Sequence, residues 1–147
     1  MRVSLGELLA TGKVILADGA TGTNYFAGGL VSGEPPEFWL DSHPERVADL
    51  HQRFVDAGAD IILTNTFGCN RHRLKLHNAH ARTHELAKKA AEIARKVVDA
   101  CVRPVVVAGS VGPTGELFEP LGALAFDEAV DTFKEQIRGL KDGGADV

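Results

Sequence analysis

Apolar positions in this chain follow two different periods. Val14-Ile15-Leu16-Ala17, Ile61-Ile62-Leu63 behind Asp60, and Pro104-Val105-Val106-Val107-Ala108 are short apolar runs, too short for helices. Such runs suit strands buried on both faces, as in a parallel sheet. Between them, apolar residues recur at helical spacing. One set is Val47, Leu50, Phe54 and Val55; a second is Leu86, Ala90, Ile93 and Val97; a third is Val130, Phe133, Ile137 and Leu140. Ser42-His43-Pro44-Glu45 carries start signals for the first helix: a capping Ser, a Glu three residues on and a Pro in the first turn. Gly58 supplies its C-terminal stop. The second helix is expected over about 81–100, and Gly143-Gly144 ends the third. Residues 24–41, punctuated by Gly28-Gly29, Gly33 and Pro35-Pro36, read as irregular.

The order is strand, loop, helix, three times over. Such alternation predicts a parallel α/β sheet with right-handed crossovers, either doubly wound or closed into a barrel. Asp18-Gly19-Ala20-Thr21-Gly22-Thr23 lacks the full dinucleotide-binding glycine pattern, which weakens the doubly wound option. The phrase Ala57-Gly58-Ala59-Asp60-Ile61 returns as Gly143-Gly144-Ala145-Asp146-Val147. The first copy leads into a strand and the second reaches only a strand's first residue. Residues 1–147 are therefore expected to be three βα units plus the start of a fourth strand, a truncated part of one larger domain.

Composition narrows the function classes. The chain is 44% hydrophobic and 24% charged, ordinary values for a globular protein, with a net charge of −4. That balance gives no electrostatic footprint for nucleic acid or an anionic membrane. No apolar run approaches the roughly 20 residues that span a bilayer, and the N-terminus lacks a signal-peptide core. Cys69 and Cys101 are far apart and suggest no disulfide framework. A cytoplasmic protein with reduced thiols is the expectation.

The chemistry is expected at the strand exits. In open α/β sheets and in barrels, ligands gather at the C-terminal ends of strands. Three exits lie there: Asp18 to Thr23, Thr64 to Gly68, and Gly109 to Gly115. Each places Gly, which admits a ligand close to the backbone, beside a hydroxyl, amide or carboxylate. Asp18 suits a substrate ammonium; Asn65, Thr66 and Ser110 suit a carboxylate or the pocket wall.

Taken together, Asp18-Gly19-Ala20-Thr21-Gly22-Thr23, Thr64-Asn65-Thr66-Phe67-Gly68 and Gly109-Ser110-Val111-Gly112-Pro113-Thr114-Gly115 resemble the homocysteine S-methyltransferase family. That family includes betaine–homocysteine methyltransferase and the homocysteine-binding module of cobalamin-dependent methionine synthase. The resemblance implies a (β/α)₈ TIM barrel, of which this chain would be the N-terminal half. It implies methyl transfer to the homocysteine sulfur, giving methionine. Asp18, Gly19, Thr23, Asn65, Thr66 and Ser110 are the implied substrate-binding residues, and Trp39 the implied methyl-donor aromatic. The family's donors are betaine, S-methylmethionine or methylcobalamin. Betaine users carry a Tyr where this chain has Gly68.

The family also uses Zn²⁺, which holds the sulfur as a thiolate, the nucleophilic form. Its three cysteine ligands fall beyond Val147, so no catalytic or metal-binding residue is expected in this chain, and no turnover by the chain alone. Cys69, His72, His77, His80 and His84 are close in sequence, and His80 and His84 have i, i+4 spacing, but the set matches no common zinc pattern. A solvated basic helix start is the expected reading. The alternative function is a non-catalytic half-barrel. Under either function, the open sheet edges of half a barrel are expected to favour aggregation or self-association of the chain alone.

Overall fold

The computed structural model describes residues 2–147. Its elements are α1 (Leu5–Ala10), α2 (Gly22–Ala27), a 3₁₀ turn (Pro36–Phe38), α3 (Trp39–Ser42), α4 (Pro44–Asp56), β1 (Ile61–Leu63), α5 (Arg71–Lys75), a second 3₁₀ turn (His80–Arg82), α6 (Thr83–Asp99), β2 (Val106–Ala108) and α7 (Phe126–Asp142). β1 and β2 are parallel, with Ile61 opposite Val106 and Leu63 opposite Ala108.

Two further segments flank this pair. On one side, Asp60 and Ile61 donate to the Leu16 carbonyl and Asp18 donates to the Ile61 carbonyl. On the other, Asp146 donates to the Val107 carbonyl and Gly109 to that of Val147. Four extended segments thus lie side by side in chain order, without the reversal that a doubly wound sheet needs.

The expected first strand over 14–17 is reduced to a single bridge, Ala17 to Ile61. Val14 is 93% exposed, so its apolar run has no second face to bury. The expected irregular stretch 24–41 instead holds α2, the first 3₁₀ turn and α3. The Ser42 hydroxyl does not cap α4 but bonds back to the Phe38 carbonyl, and α4 starts at Pro44 behind an uncapped His43.

The repeated Gly-Ala-Asp phrase has a physical role. Gly58 and Gly144 both take left-handed backbone, φ +104° and +93°, which a residue with a Cβ resists. Each following Asp then carries its carboxylate to an amide of the preceding segment. Asp60 accepts from Leu16 N–H at 3.0 Å, and Asp146 accepts from Val107 N–H at 2.9 Å. Each is held by an arginine, Arg103 on Asp60 and Arg95 on Asp146.

The core lies between the sheet and the helices. Ile62 and Val107 pack with Val55, Ala94, Val97 and Val98. Trp39, Leu40, Val47 and Leu50 join Leu86, Ala87, Ala90 and Ala91. α7 keeps Leu140 of its expected stripe but otherwise departs from it: it buries Ala129, Thr132, Gln136 and Gly139, while Ile137 is 51% exposed. Small residues decide this face. A Cβ on Gly139 would meet the His84 carbonyl oxygen at 2.5 Å and the Ala87 Cβ at 2.8 Å, and one on Gly143 would collide with the Lys88 carbonyl. Neither backbone oxygen can swing away. Gly139→Ala is expected to lower stability by about 1–3 kcal/mol, read as a fall in thermal midpoint.

His51 is also in the core, 2% exposed, with no partner for Nε2. Burial disfavours its charged form and lowers its pKa to about 4. The unfolded chain therefore binds more protons below pH 6.5, so this residue's contribution falls as the medium is acidified from about 6.5 toward 4. Between pH 7 and 5 it is expected to remove about 2 kcal/mol of stability. His51→Leu is expected to abolish that share of the acid sensitivity in denaturant titrations at the two pH values. An unchanged pH dependence would contradict it.

Candidate functional site

The three strand exits line one hollow of about 740 Å³. Ala17, Asp18 and Gly19 form one wall, Leu63 to Gly68 a second, and Ser110 closes a third side. Gly33 to Glu37 arch over it, and Arg73, Leu74, Leu76 and His77 complete it.

Asp18 is placed by pairing. Its own N–H bonds to Ile61, and its Oδ2 accepts the Leu63 N–H at 2.9 Å. Oδ1 has no protein partner among the described residues, so it is available to a ligand. Burial raises the carboxyl's pKa, and the Leu63 amide partly offsets that. A ligand cation is the natural partner for such a group. Gly19 adjoins Phe54, whose ring lies 3.4 Å from where a Cβ would stand.

The middle and third exits are braced together. The Thr64 and Thr66 hydroxyls lie 2.6 Å apart, and Ser110 N–H donates to the Thr64 hydroxyl at 3.0 Å. Thr66 Oγ1 donates to the Ser110 carbonyl at 2.7 Å. Behind them, Gln136 of α7 sends Nε2 to the Thr66 carbonyl at 2.7 Å and to the Ser110 carbonyl at 3.3 Å. Buried carbonyls at two strand ends thus find their donor in a helix of the outer layer, as buried polar groups require. Gln136 stands one helical turn from Thr132, which explains why α7 turns its polar stripe inward. Asn65 is 5% exposed and donates to the Pro36 carbonyl at 2.8 Å, which ties the arch to the second exit.

The structure brings Asp18, Gly19, Asn65, Thr66 and Ser110 to the same hollow. Thr66 is fully buried and its hydroxyl is committed to the brace, whereas Ser110 Oγ has no protein partner among the described residues. Thr23 is exposed on α2, and the hollow is lined by its neighbours Thr21 and Gly22 instead. Trp39 is not at the hollow. It is 2% exposed, tilted against Tyr25 at 5.2 Å between ring centres, with the Arg46 guanidinium 5.1 Å from its ring centre. A cation already occupies its face, so the placement is that of a core aromatic.

Glu37 lies outside the sequence-based set. It is 4% exposed, lines the hollow and accepts the Gly68 N–H at 2.7 Å. A Cβ at position 68 would lie 2.9 Å from Glu37 Oε1, so the glycine there makes room for the carboxylate. The signal was the Pro35-Pro36-Glu37 sequence, masked by reading residues 24–41 as irregular. Arg73 and His77 were legible only as part of a basic stretch.

The residues present do not fit a zinc site. Among the described residues no three His, Cys, Asp or Glu side chains gather to hold a metal. Cys69 is buried, its thiol bonds to the Thr83 carbonyl, and burial pushes its pKa up, away from the thiolate. Cys101 bonds to the Val97 carbonyl at the end of α6. His84 is engaged with Asp142 of α7 at 2.9 Å.

Comparison with known proteins agrees with this layout. The family model for homocysteine S-methyltransferase matches residues 15–147. Methionine synthase of Mycobacterium tuberculosis is 34% identical over 144 residues, covering 92% of this chain, and that of Mycobacterium leprae is 32% identical over the same span. The match spans 12% of either relative's length. The crystal structure of the homocysteine methyltransferase MmuM from Escherichia coli in its oxidized form superposes with a TM-score of 0.84 and 25% identity, covering 97% of this chain and 54% of that one. Its metallated form gives a TM-score of 0.80 at 24% identity. The fold is thus α/β with parallel strands, similar to that of a homocysteine methyltransferase. With a match running through all three exits and the hollow they share, the chain belongs to the homocysteine S-methyltransferase family.

Proposed function

We propose that residues 1–147 form the amino-acid-binding part of a homocysteine methyltransferase barrel, and that the hollow at the strand ends holds homocysteine for methylation to methionine. The supporting observation is the half-buried Asp18 carboxylate, fixed by Leu63 through one oxygen with the other left to a ligand. The substrate ammonium would bond to Asp18 Oδ1. The Ser110 hydroxyl would donate to the substrate carboxylate, and Gly19 would let the main chain of the amino acid lie close to the sheet. Thr64, Thr66 and Gln136 act one step back, by holding Ser110 in place.

The zinc ion of the family supplies thiolate stabilisation where it is bound. The residues of this chain do not compose that site, so their part is to bind and orient. The chain alone is expected to bind homocysteine without turning it over. Isothermal titration of the chain with L-homocysteine tests the reading. Saturable binding that fails for the carboxylate-free analogue cysteamine and for the ammonium-free analogue 3-mercaptopropionate supports it. Absence of binding, or equal binding of all three, contradicts it.

A further inference from the structure

The loop after the third exit shows apolar residues to solvent while holding a fixed shape. Residues 115–123 are exposed throughout, yet they include Leu117, Phe118 and Leu121, the last 85% exposed. Loops that face water are ordinarily polar. Four main-chain hydrogen bonds close this one into a knuckle. Glu119 N–H donates to the Leu124 carbonyl and Leu124 N–H to that of Leu117, both at 3.1 Å. Leu121 and Gly122 N–H share the Phe118 carbonyl. A Cβ on Gly122 would lie 2.2 Å from the Leu117 carbonyl oxygen, so the tight fold requires glycine there. A shaped loop thus presents the apolar tips, and little ordering entropy opposes their binding to a partner.

The knuckle sits beside α5 and the start of α7. Asn70 Nδ2 donates to the Pro113 carbonyl at 3.2 Å, and His72 Nε2 lies 3.6 Å from Glu128 Oε1. The Arg73 guanidinium is 3.6 Å from where a Cβ on Gly115 would stand. These neighbours add Leu76 and Phe126, 71% and 73% exposed. Charge on this face is segregated. α5 carries Arg73 and Lys75, while the loop and the start of α7 carry Glu116, Glu119 and Asp127. All five are exposed, and among the described residues none of them forms an ion pair, whereas Arg71 of the same helix is paired with Glu135 of α7. An apolar patch with unpaired cations on one flank and unpaired anions on the other is complementary to itself. A two-fold axis lays each half on the opposite half of the second molecule. We propose that this rim is an isologous interface whose occupant is a second copy of this chain. Leu117, Phe118 and Leu121 of both copies form its apolar centre, and Lys75 of each copy faces Glu119 of the other. A uniformly acidic or basic partner would instead meet like charges over half of the face. The interface uses neither outer edge of the sheet, so it differs from edge-to-edge pairing. Arg73 and Leu76 also line the hollow, which places the second copy beside its mouth.

The test is sedimentation velocity of the 147-residue chain over a range of concentrations, with two charge-reversed variants. The parent is expected to sediment as a dimer. Lys75→Glu and Glu119→Lys each set like charges against one another twice across the axis, and each alone is expected to weaken self-association about 10-fold or more. Mixed in equal amounts, the two variants are expected to associate with one another to within about threefold of the parent. Every contact in the mixed pair again joins opposite charges. Leu121→Ser, at an exposed tip, is expected to weaken association about 10-fold or more. All three side chains face solvent, so thermal melts should match the parent, and recovery on mixing cannot come from a variant that has failed to fold. A monomeric parent, a mixture that does not recover, or Leu121→Ser dimers as tight as the parent's would overturn the proposal. Dimers that survive both single charge reversals would also overturn it and assign association to the sheet edges.

Discussion

Replacing Asp18 by Asn is expected to weaken L-homocysteine binding by roughly 30-fold or more while the fold survives. The reasoning is geometric first. Asp18 Oδ2 holds the Leu63 amide, and an Asn carbonyl oxygen can take over that bond. What Asn cannot supply is the negative charge facing the ligand. Loss of one partner from a desolvated, hydrogen-bonded charge pair costs about 2 kcal/mol or more, and 2 kcal/mol is close to 30-fold in affinity. Calorimetry gives the affinity and a thermal melt checks the fold. The melt should move by no more than about 3 °C. Affinity within about threefold of the unaltered chain would remove Asp18 from the role of anchor.

Arg95→Leu is expected to give the largest loss of stability. Arg95 lies in α6, but its side chain is only 8% exposed and reaches past the helix to Asp146, whose side chain is 12% exposed. It also donates to the Gly144 carbonyl at 3.1 Å. Asp146 in turn holds Val107 N–H, so one arginine fixes both the final turn and the edge of β2. Removing it leaves a carboxylate buried without its main cation, which costs about 3–5 kcal/mol. For a domain of this size that is roughly 10 °C in thermal midpoint. Adding Asp146→Asn removes the stranded charge and is expected to restore part of the loss. A single variant within about 1 kcal/mol of the parent would show that solvent or Arg2, 4.0 Å from Asp146, already compensates.

The alternation of parallel strands with helices and the shared hollow were legible because they depend on short-range signals; the order of the strands was left open between a doubly wound sheet and a barrel. Apolar runs of three to five residues, each leaving through a polar exit that contains Gly, mark strands and the end at which they bind. The Gly-Ala-Asp repeat was visible as a repeat, but its purpose was not. That Asp60 and Asp146 tie back to the previous segment is a pairing over 44 and 39 residues, which no local pattern encodes. α1 was missed although its capping box, Ser4 with Glu7, was written in the sequence.

The inward face of α7 was misread for a different reason. Helical periodicity favours the apolar stripe of Val130, Phe133 and Ile137, yet close approach to α6 is decided by Gly139 and Gly143, which carry no hydrophobic signal. Gln136 is buried because two strand-end carbonyls need its amide, a demand that exists only once the sheet is formed. Trp39 shows the reverse. The family resemblance implied a methyl-donor aromatic there, but Trp39 packs on Tyr25 and under Arg46 in the core.

The most direct measurement is a crystal structure of this chain with L-homocysteine. The amino acid should lie between the three exits, its ammonium within hydrogen-bond distance of the Asp18 carboxylate and its carboxylate toward Ser110. Homocysteine bound elsewhere, or bound in the hollow with Asp18 still facing empty solvent, would contradict the account.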